Sequence, residues 1–129
     1  MKQRLALLLQ ADVISQRSYV GSLEVLALLN QMLDLKDDNE QYQMAITHLA
    51  RAADRIWQHE PIREGMDPEI LEEIYTDPAW EKVNTLHLQV VGAMGLGCIP
   101  EEEESYLLAN IYSLYQLDCA VVDEGVVND

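Results

Sequence analysis

Basic residues are scarce in this 129-residue chain, and their scarcity limits the partners that it can bind. The chain has 8 lysine and arginine residues against 23 aspartate and glutamate residues, a formal net charge of -15 at pH 7. From Glu101 to Asp129 there is no lysine or arginine at all. No basic stripe is long enough to neutralise a phosphate backbone or to hold an anionic lipid surface. We therefore expect no direct binding to nucleic acid or to a membrane.

Cysteine and long apolar runs are also sparse, which bears on redox chemistry and targeting. The two cysteines, Cys98 and Cys119, form no CxxC pair and have no metal-type spacing, so we expect thiols in a reducing cytosol. The apolar run LALLL near the N-terminus is too short to span a membrane, and no small-residue cleavage site follows it. We therefore expect a complete cytoplasmic protein.

The short motifs of common enzymes and cofactor sites are missing as well. The chain has no HExxH, GxSxG or P-loop motif, and no two histidines stand at i, i+4 spacing. A di-iron bundle would need glutamates with a histidine three residues on, and no such pair is present. We therefore expect no enzyme activity, no metal and no cofactor.

Phenylalanine is absent, whereas helix-forming residues are abundant. Leucine, alanine, methionine, glutamate and glutamine favour helices, and no alternating run of Val, Ile or Thr predicts a strand. With 49% hydrophobic and 24% charged residues, the chain suffices for one globular domain with its own core. We predict an all-α antiparallel bundle of five helices, or of six if residues 2–11 form a short first helix.

Capping residues predict where most of these helices begin. The predicted N-terminal caps are Ser15, Asp38 or Asn39, Asp67 followed by Pro68, and Asp77 followed by Pro78. The helices that follow the first two caps run to about residues 33 and 59. The last helix starts with Pro100 and four glutamates, which we interpret as favourable charges at the positive end of the helix dipole and as a source of solubility. We predict one domain over 1–116 and a weakly structured or docked acidic tail over 117–129.

His48 is the residue whose surroundings most suggest a function. It lies in the helix predicted for residues 40–59, on the flank of an apolar stripe and beside Ala52. The members of the stripe are Tyr42, Ala45, Ile46, Leu49, Ala52, Ala53 and Ile56. Arg51 and Arg55 stand three and seven residues on, on adjacent or same-side turns. Their guanidinium groups would be bidentate donors to a phosphoryl group placed on His48. The alternative is a boundary histidine that only packs and hydrogen-bonds.

The other two histidines have structural interpretations. His59 stands at a predicted helix C-terminus, where a histidine interacts favourably with the helix dipole. It lies about 16 Å from His48 along the helix, too far to share a metal with it. His87 sits at the edge of an apolar stripe, and we interpret it as a core-edge histidine with its hydrogen bonds satisfied.

Three segments of the chain follow one another in an order typical of a known family. They are LLLQADVIS before the first long helix, THLARAADRI with its H-x(6)-R pattern, and IPEEEESYLLANI. In this order they resemble the PTS regulation domain, or PRD, the phosphorylation-controlled helical module of bacterial antiterminators and transcriptional activators. The resemblance covers about residues 5–116.

The resemblance implies roles for individual residues. In such domains a first histidine accepts phosphate from phosphotransferase-system proteins; that position is His48 here, and Arg55 matches the arginine of the motif. The position of the second histidine holds Asn110, which cannot be phosphorylated at nitrogen, so the second switch is expected to be absent. The resemblance also implies a homodimer. The RNA-binding or helix-turn-helix module that usually accompanies such domains is not found in this sequence.

Two functions follow from these observations. The first is a cytoplasmic regulatory module of sugar-phosphotransferase-linked transcription control that acts through protein contacts. His48 would be its phosphoacceptor, and Arg51 and Arg55 its phosphate-supporting residues. Its partners would be phosphocarrier proteins of the phosphotransferase system or a partner regulator. The second function, motivated by Asn110, is a degenerate docking module that is not phosphorylated.

Overall fold

Six helices make up the part of the chain that the structure describes. The computed structural model describes the backbone of residues 1–127 and the side chains of residues 1–118. Within these residues there is no strand, and the helices are α1 (Lys2–Gln10), α2 (Gln16–Met32), α3 (Glu40–Trp57), α4 (Pro68–Thr76), α5 (Trp80–Met94) and α6 (Glu101–Val127). The predicted all-α class is confirmed, and the short first helix brings the number of helices to six.

Four of the helices surround the core. The helices α2 and α6 each pack against both α3 and α5, so that the four form a closed ring, while α1 lies against α2 and α4 lies against α5 and α6. Full burial of a leucine or isoleucine side chain contributes about 1.5–3 kcal/mol to stability. The largest fully buried apolar side chains include Tyr42, Leu5, Leu29, Ile46, Ile74 and Leu114. The helical bundle is thus confirmed, whereas its antiparallel order and its likeness to the PTS regulation domain stay predictions.

Local capping explains three of the helix starts. The Ser15 hydroxyl accepts a hydrogen bond from the Ser18 N–H at 3.1 Å and caps α2. The Asn39 side chain accepts from the Tyr42 N–H at 3.0 Å and caps α3. Asp67 accepts from the N–H of Glu69, two residues on, at 2.9 Å and caps α4, with Pro68 in the first turn. These three predicted caps are therefore confirmed. They could be predicted because a cap depends only on residues within one turn.

The start of α5 was wrongly predicted. The helix begins at Trp80, with Ala79 as its N-terminal cap and no side-chain cap hydrogen bond. Asp77 instead accepts the Ala79 N–H at 2.7 Å and the Tyr112 hydroxyl of α6 at 2.6 Å. The tertiary contact with Tyr112 thus occupies an oxygen of the carboxylate that was expected only to cap a helix.

The end of α3 also differs from the prediction. The helix ends at Trp57, and His59 has a φ of 60° in the left-handed region. The N–H of Glu60 bonds the carbonyl of Arg55 at 2.9 Å, and the N–H of His59 bonds the carbonyl of Ile56 at 3.2 Å. These are the two hydrogen bonds of a Schellman motif, in which glycine usually holds the position of His59. His59 therefore lies beyond the helix end rather than within its last turn.

A face of small residues on α2 allows its neighbours to approach closely. Ser18 and Ser22 are fully buried, and the Ser18 hydroxyl donates to the Ala50 carbonyl of α3 at 2.5 Å. A Cβ on Gly21 would lie 2.8 Å from the sulfur of Met94 and 3.0 Å from its carbonyl oxygen. A methyl group at position 21 would therefore require Met94 or one of the two helices to shift, so the close contact between α2 and α5 favours glycine here.

The last helix continues past the predicted domain boundary. α6 extends to Val127 and includes residues 117–127 of the stretch that the sequence assigned to an acidic tail. Residues 128–129 lie outside the described part of the chain, and the division of the chain at residue 116 stays a prediction. In the part of the chain that the structure describes, no helix is both long and apolar enough to cross a membrane.

Candidate functional site

A cleft of about 510 Å³ brings together three of the four residues that the sequence singled out. His48 and Arg55 reach it from α3, and Asn110 reaches it from α6. The remaining lining residues come from α3, from the loop that follows it and from α6; they are Ala52, Ile62, Glu64, Tyr106 and Leu107. His48 is exposed and is therefore accessible to a partner.

The helical repeat explains why His48, Ala52 and Arg55 of α3 line the same cleft. Seven residues turn a helix through about 700°, so that Arg55 points within about 20° of His48. Ala52 lies between them on the same side and is buried, and its small side chain leaves the floor of the cleft open. α3 packs against α6 through its apolar stripe, which brings Asn110 into the same cleft.

Arg55 is already paired in this structure. Its Nε and Nη2 atoms donate to the two carboxylate oxygens of Glu103 at 2.8 Å and 2.9 Å, a bidentate ion pair. The Glu103 side chain is 0% exposed, and the Arg55 side chain is 35% exposed. The hydrogen bond with Glu103 raises the pKa of Arg55 above its usual value. The pair uses two of the five guanidinium N–H donors.

Glu103 corrects the interpretation of the four-glutamate run at the start of α6. That run was expected to serve the helix dipole and solubility, but Glu103 lies in the protein interior. The signal that would have found it is its spacing: Glu103, Leu107 and Asn110 stand at steps of four and three residues and so share one helix face. Sequence reasoning also missed Ile62, Glu64 and Tyr106 as lining residues, since long-range packing brings them to the cleft.

The loop between α3 and α4 is fastened to the first turns of α6. The N–H of Ile62 approaches Glu103 at 3.4 Å, and the N–H of Met66 donates to the Ser105 hydroxyl at 2.9 Å. A Cβ on Gly65 would lie 3.1 Å from the same hydroxyl oxygen. One wall of the His48 cleft is therefore a loop whose position depends partly on the carboxylate that pairs with Arg55.

Arg51 does not line the His48 cleft. Three residues turn the helix through about 300°, so that Arg51 points about 60° away from His48. It lines a neighbouring cleft of about 440 Å³ together with Asp54 and residues 12–15, the segment that precedes α2. There Asp54 accepts the Ser15 N–H at 2.8 Å and also the Ser15 hydroxyl. Arg55 lines both clefts, so the structure groups His48 with Arg55 and leaves Arg51 beside a different site.

The prediction that His87 lies at the edge of the core with its hydrogen bonds satisfied is wrong. Its side chain is 2% exposed, yet neither ring nitrogen has a hydrogen-bond partner among the described residues. Nε2 lies 3.5 Å from Oε1 of Glu104, which is close enough for an ion pair when His87 is protonated but longer than an ordinary hydrogen bond. Burial lowers the pKa of His87 below its usual value, and Glu104 offsets part of that effect. His87 and Asn110 both line a small internal cavity of about 10 Å³.

The part of the chain whose side chains are described contains no cluster of three or more histidine, cysteine, aspartate or glutamate side chains that could hold a metal ion.

Comparison with known proteins gives one informative relative. No family model matches the chain, and no solved structure matches it. The uncharacterized protein YhfY of Escherichia coli (strain K12) is 37% identical to it over 115 residues. The matched region covers 89% of this chain and 94% of YhfY. A match of this length includes the segment that contributes the His48 cleft.

Proposed function

This chain belongs to the same family as Escherichia coli YhfY, and we propose that it is a phosphorylation-responsive regulatory module with His48 as its phosphoacceptor. In this proposal it acts in the cytoplasm, through protein contacts, in transcription control linked to a bacterial sugar-phosphotransferase system. The observation that carries the proposal is the cleft of about 510 Å³ in which the exposed His48 stands beside Arg55 and Asn110. The sequence resemblance to the PTS regulation domain supplies the class of function.

The proposed reaction is a phosphoryl transfer between two histidines. The unprotonated ring nitrogen of His48 attacks the phosphorus of a phosphohistidine on a phosphocarrier protein. A nitrogen–phosphorus bond forms on His48 as the bond on the donor breaks. His48 then releases the proton of its other ring nitrogen, and the donor histidine takes up a proton. The acceptor must be reachable by another protein, and the exposure of His48 meets that requirement.

Arg55 is the residue through which the structure would respond. A phosphoryl group adds about -1.5 to -2 charge at pH 7 in a cleft that also contains Glu64. It would attract the guanidinium of Arg55 and compete with Glu103 for it. Weakening that ion pair leaves a buried carboxylate short of its partner, which is unfavourable. The loop that contacts Glu103 through Ile62 would then loosen from α6.

The test of the acceptor is a phosphorylation assay. The purified chain is incubated with the general phosphocarrier proteins and phosphoenolpyruvate, and its intact mass is measured. We expect one added phosphoryl group in the wild type and in His59→Ala, a control at an exposed histidine just beyond the same helix. We expect none in His48→Ala. Absence of phosphate from the wild type, or its persistence in His48→Ala, would refute the proposal.

The response of the loop has its own readout. Arg63 is exposed in the loop between α3 and α4, so trypsin can report how tightly that loop is held. We expect faster cleavage after Arg63 in the phosphorylated chain than in the unphosphorylated chain. Equal cleavage rates would show that Arg55 does not transmit the charge to the loop, even if His48 is phosphorylated.

A degenerate docking module is the second candidate. Two observations favour it: Asn110 stands where the resemblance expects a second histidine, and Glu103 already occupies the guanidinium of Arg55. In that case His48→Ala binds the phosphocarrier protein as tightly as the wild type does, and no phosphate is transferred. Isothermal titration calorimetry with both variants separates this function from the first.

Homodimerisation also belongs to the proposal. It rests on the sequence resemblance and on large apolar side chains at the surface, among them Leu7, Val20 and Leu88, which are 58%, 49% and 57% exposed. Sedimentation equilibrium should give twice the 14.7 kDa mass of the chain. A monomer at all concentrations up to the millimolar range would contradict it.

A further inference from the structure

A second cleft, of about 260 Å³, lies between α4, α5 and α6. It shares no lining residue with the His48 cleft. Its lining includes two aromatic rings, Tyr75 and Trp80, two carboxylates, Glu101 and Glu104, and the buried His87. The proposed phosphorylation of His48 makes no use of these groups.

His87 is the observation that points to a ligand. A buried polar atom without a partner costs stability, and native proteins seldom leave both nitrogens of a histidine unsatisfied. Nε2 lies 3.5 Å from Oε1 of Glu104, and both residues line the cleft. The lowered pKa of His87 keeps the ring neutral near pH 7, and a neutral imidazole always has one nitrogen that can accept a hydrogen bond.

The other lining groups determine the charge of that ligand. The rings of Tyr75 and Trp80, which both line the cleft, meet edge to face at 89° with their centroids 4.9 Å apart; we call this pair the aromatic corner. Aromatic walls of this kind attract cations through the ring quadrupole. Glu101 and Glu104 add negative charge, and the chain as a whole carries -15. An anionic ligand would be repelled by all of these groups.

We propose that this cleft binds a small organic molecule through a primary ammonium group. The ammonium N–H groups donate to His87 and to the carboxylate of Glu104, and the aromatic corner covers the carbon chain beside the charge. The ligand would give one ring nitrogen of His87 the hydrogen-bond partner that the described residues do not supply.

A series of small probes of similar size tests the charge and the hydrogen bond separately. The indole N–H signal of Trp80 is followed by NMR during titration of the full chain at pH 7.5 and is assigned with Trp57→Phe, which removes the second of the two tryptophans. We expect saturable shifts with n-butylammonium and a dissociation constant on the order of 1 mM, as befits five non-hydrogen atoms. n-Butanol and butyrate should bind at least about tenfold more weakly.

Tetramethylammonium is the decisive control, because it carries the charge but has no N–H to donate. We expect it to bind at least threefold more weakly than n-butylammonium. Equal affinity of tetramethylammonium would show that His87 accepts no hydrogen bond from the ligand, and it would overturn the proposal. Absence of binding by n-butylammonium, or equal binding of n-butanol or butyrate, would overturn it as well.

Variants locate the binding in this cleft. Glu104→Gln should weaken n-butylammonium binding about tenfold, because Glu104 supplies the carboxylate beside His87. Tyr75→Leu should weaken it about two- to fivefold through loss of one aromatic wall. Glu72→Gln, an exposed position on α4 outside the cleft, should leave the affinity unchanged. If Glu104→Gln binds like the wild type, the proposal fails even though the wild-type chain binds the probe.

Discussion

Replacing either partner of the ion pair between Arg55 and Glu103 should lower the free energy of unfolding by an amount that depends on how deeply the remaining partner is buried. The Glu103 side chain is 0% exposed and the Arg55 side chain is 35% exposed, so the two halves of the pair are not equivalent. In Arg55→Met the apolar stem is kept but Glu103 loses its counter-charge. A buried charge left without its partner costs about 3–5 kcal/mol. That is a large part of the 5–15 kcal/mol by which domains are ordinarily stable.

The opposite change should cost less. In Glu103→Gln the buried negative charge is gone, and the amide oxygen still accepts a hydrogen bond from Arg55. The cation that remains is 35% exposed and can be hydrated. We therefore expect Glu103→Gln to lower the free energy of unfolding by about 1–2 kcal/mol. In the double variant Arg55→Met with Glu103→Gln the orphaned charge is absent, so it should be more stable than Arg55→Met alone.

Urea denaturation at pH 7, followed by the helical circular dichroism signal, measures these free energies. Urea is preferred to guanidinium chloride because it does not screen the ion pair. Arg51→Met is the matched control: it removes an exposed arginine one turn earlier on the same helix and should change the free energy by less than about 0.5 kcal/mol. A loss below about 1 kcal/mol in Arg55→Met, or a larger loss in Glu103→Gln, would refute the reasoning.

Two further predictions concern the packing of α5. Gly21→Ala should destabilise the protein by about 1–3 kcal/mol, because its Cβ would lie 2.8 Å from the sulfur and 3.0 Å from the carbonyl oxygen of Met94; an unchanged urea midpoint would show that α2 and α5 can separate freely. Burial lowers the pKa of His87 from its usual 6.5, so the unfolded chain binds a proton more readily than the native chain. The stability that neutral His87 gives to the folded chain is therefore fully present above about pH 6.5 and is lost as the pH falls below that value. His87→Leu should weaken this dependence of the unfolding free energy between pH 7 and pH 5, and an unaltered pH profile would contradict the lowered pKa.

The sequence by itself determined the features that depend on neighbours within a turn or two. The caps at Ser15, Asn39 and Asp67 were predictable because each cap accepts an N–H two or three residues ahead. The alignment of His48 with Arg55 was equally predictable from the helical repeat. Arg51 was expected to support the same phosphoryl group, but it lines a different cleft.

The apolar stripe of α3 was also readable from spacing alone, because a helix in a bundle buries its apolar face. Every member of the predicted stripe is buried; its members are Tyr42, Ala45, Ile46, Leu49, Ala52, Ala53 and Ile56.

The tertiary structure alone decided which polar groups meet across helices. Asp77 was expected to cap a helix and instead accepts a hydrogen bond from Tyr112, 35 residues away. Glu103 was expected at the surface and instead pairs with Arg55, 48 residues away. His87 was expected to be satisfied and is buried without a partner among the described residues. Such partners are separated by long stretches of chain, so no local sequence pattern specifies them. Packing of the apolar helix faces brings them together, and their charges and hydrogen bonds interact only in the folded chain.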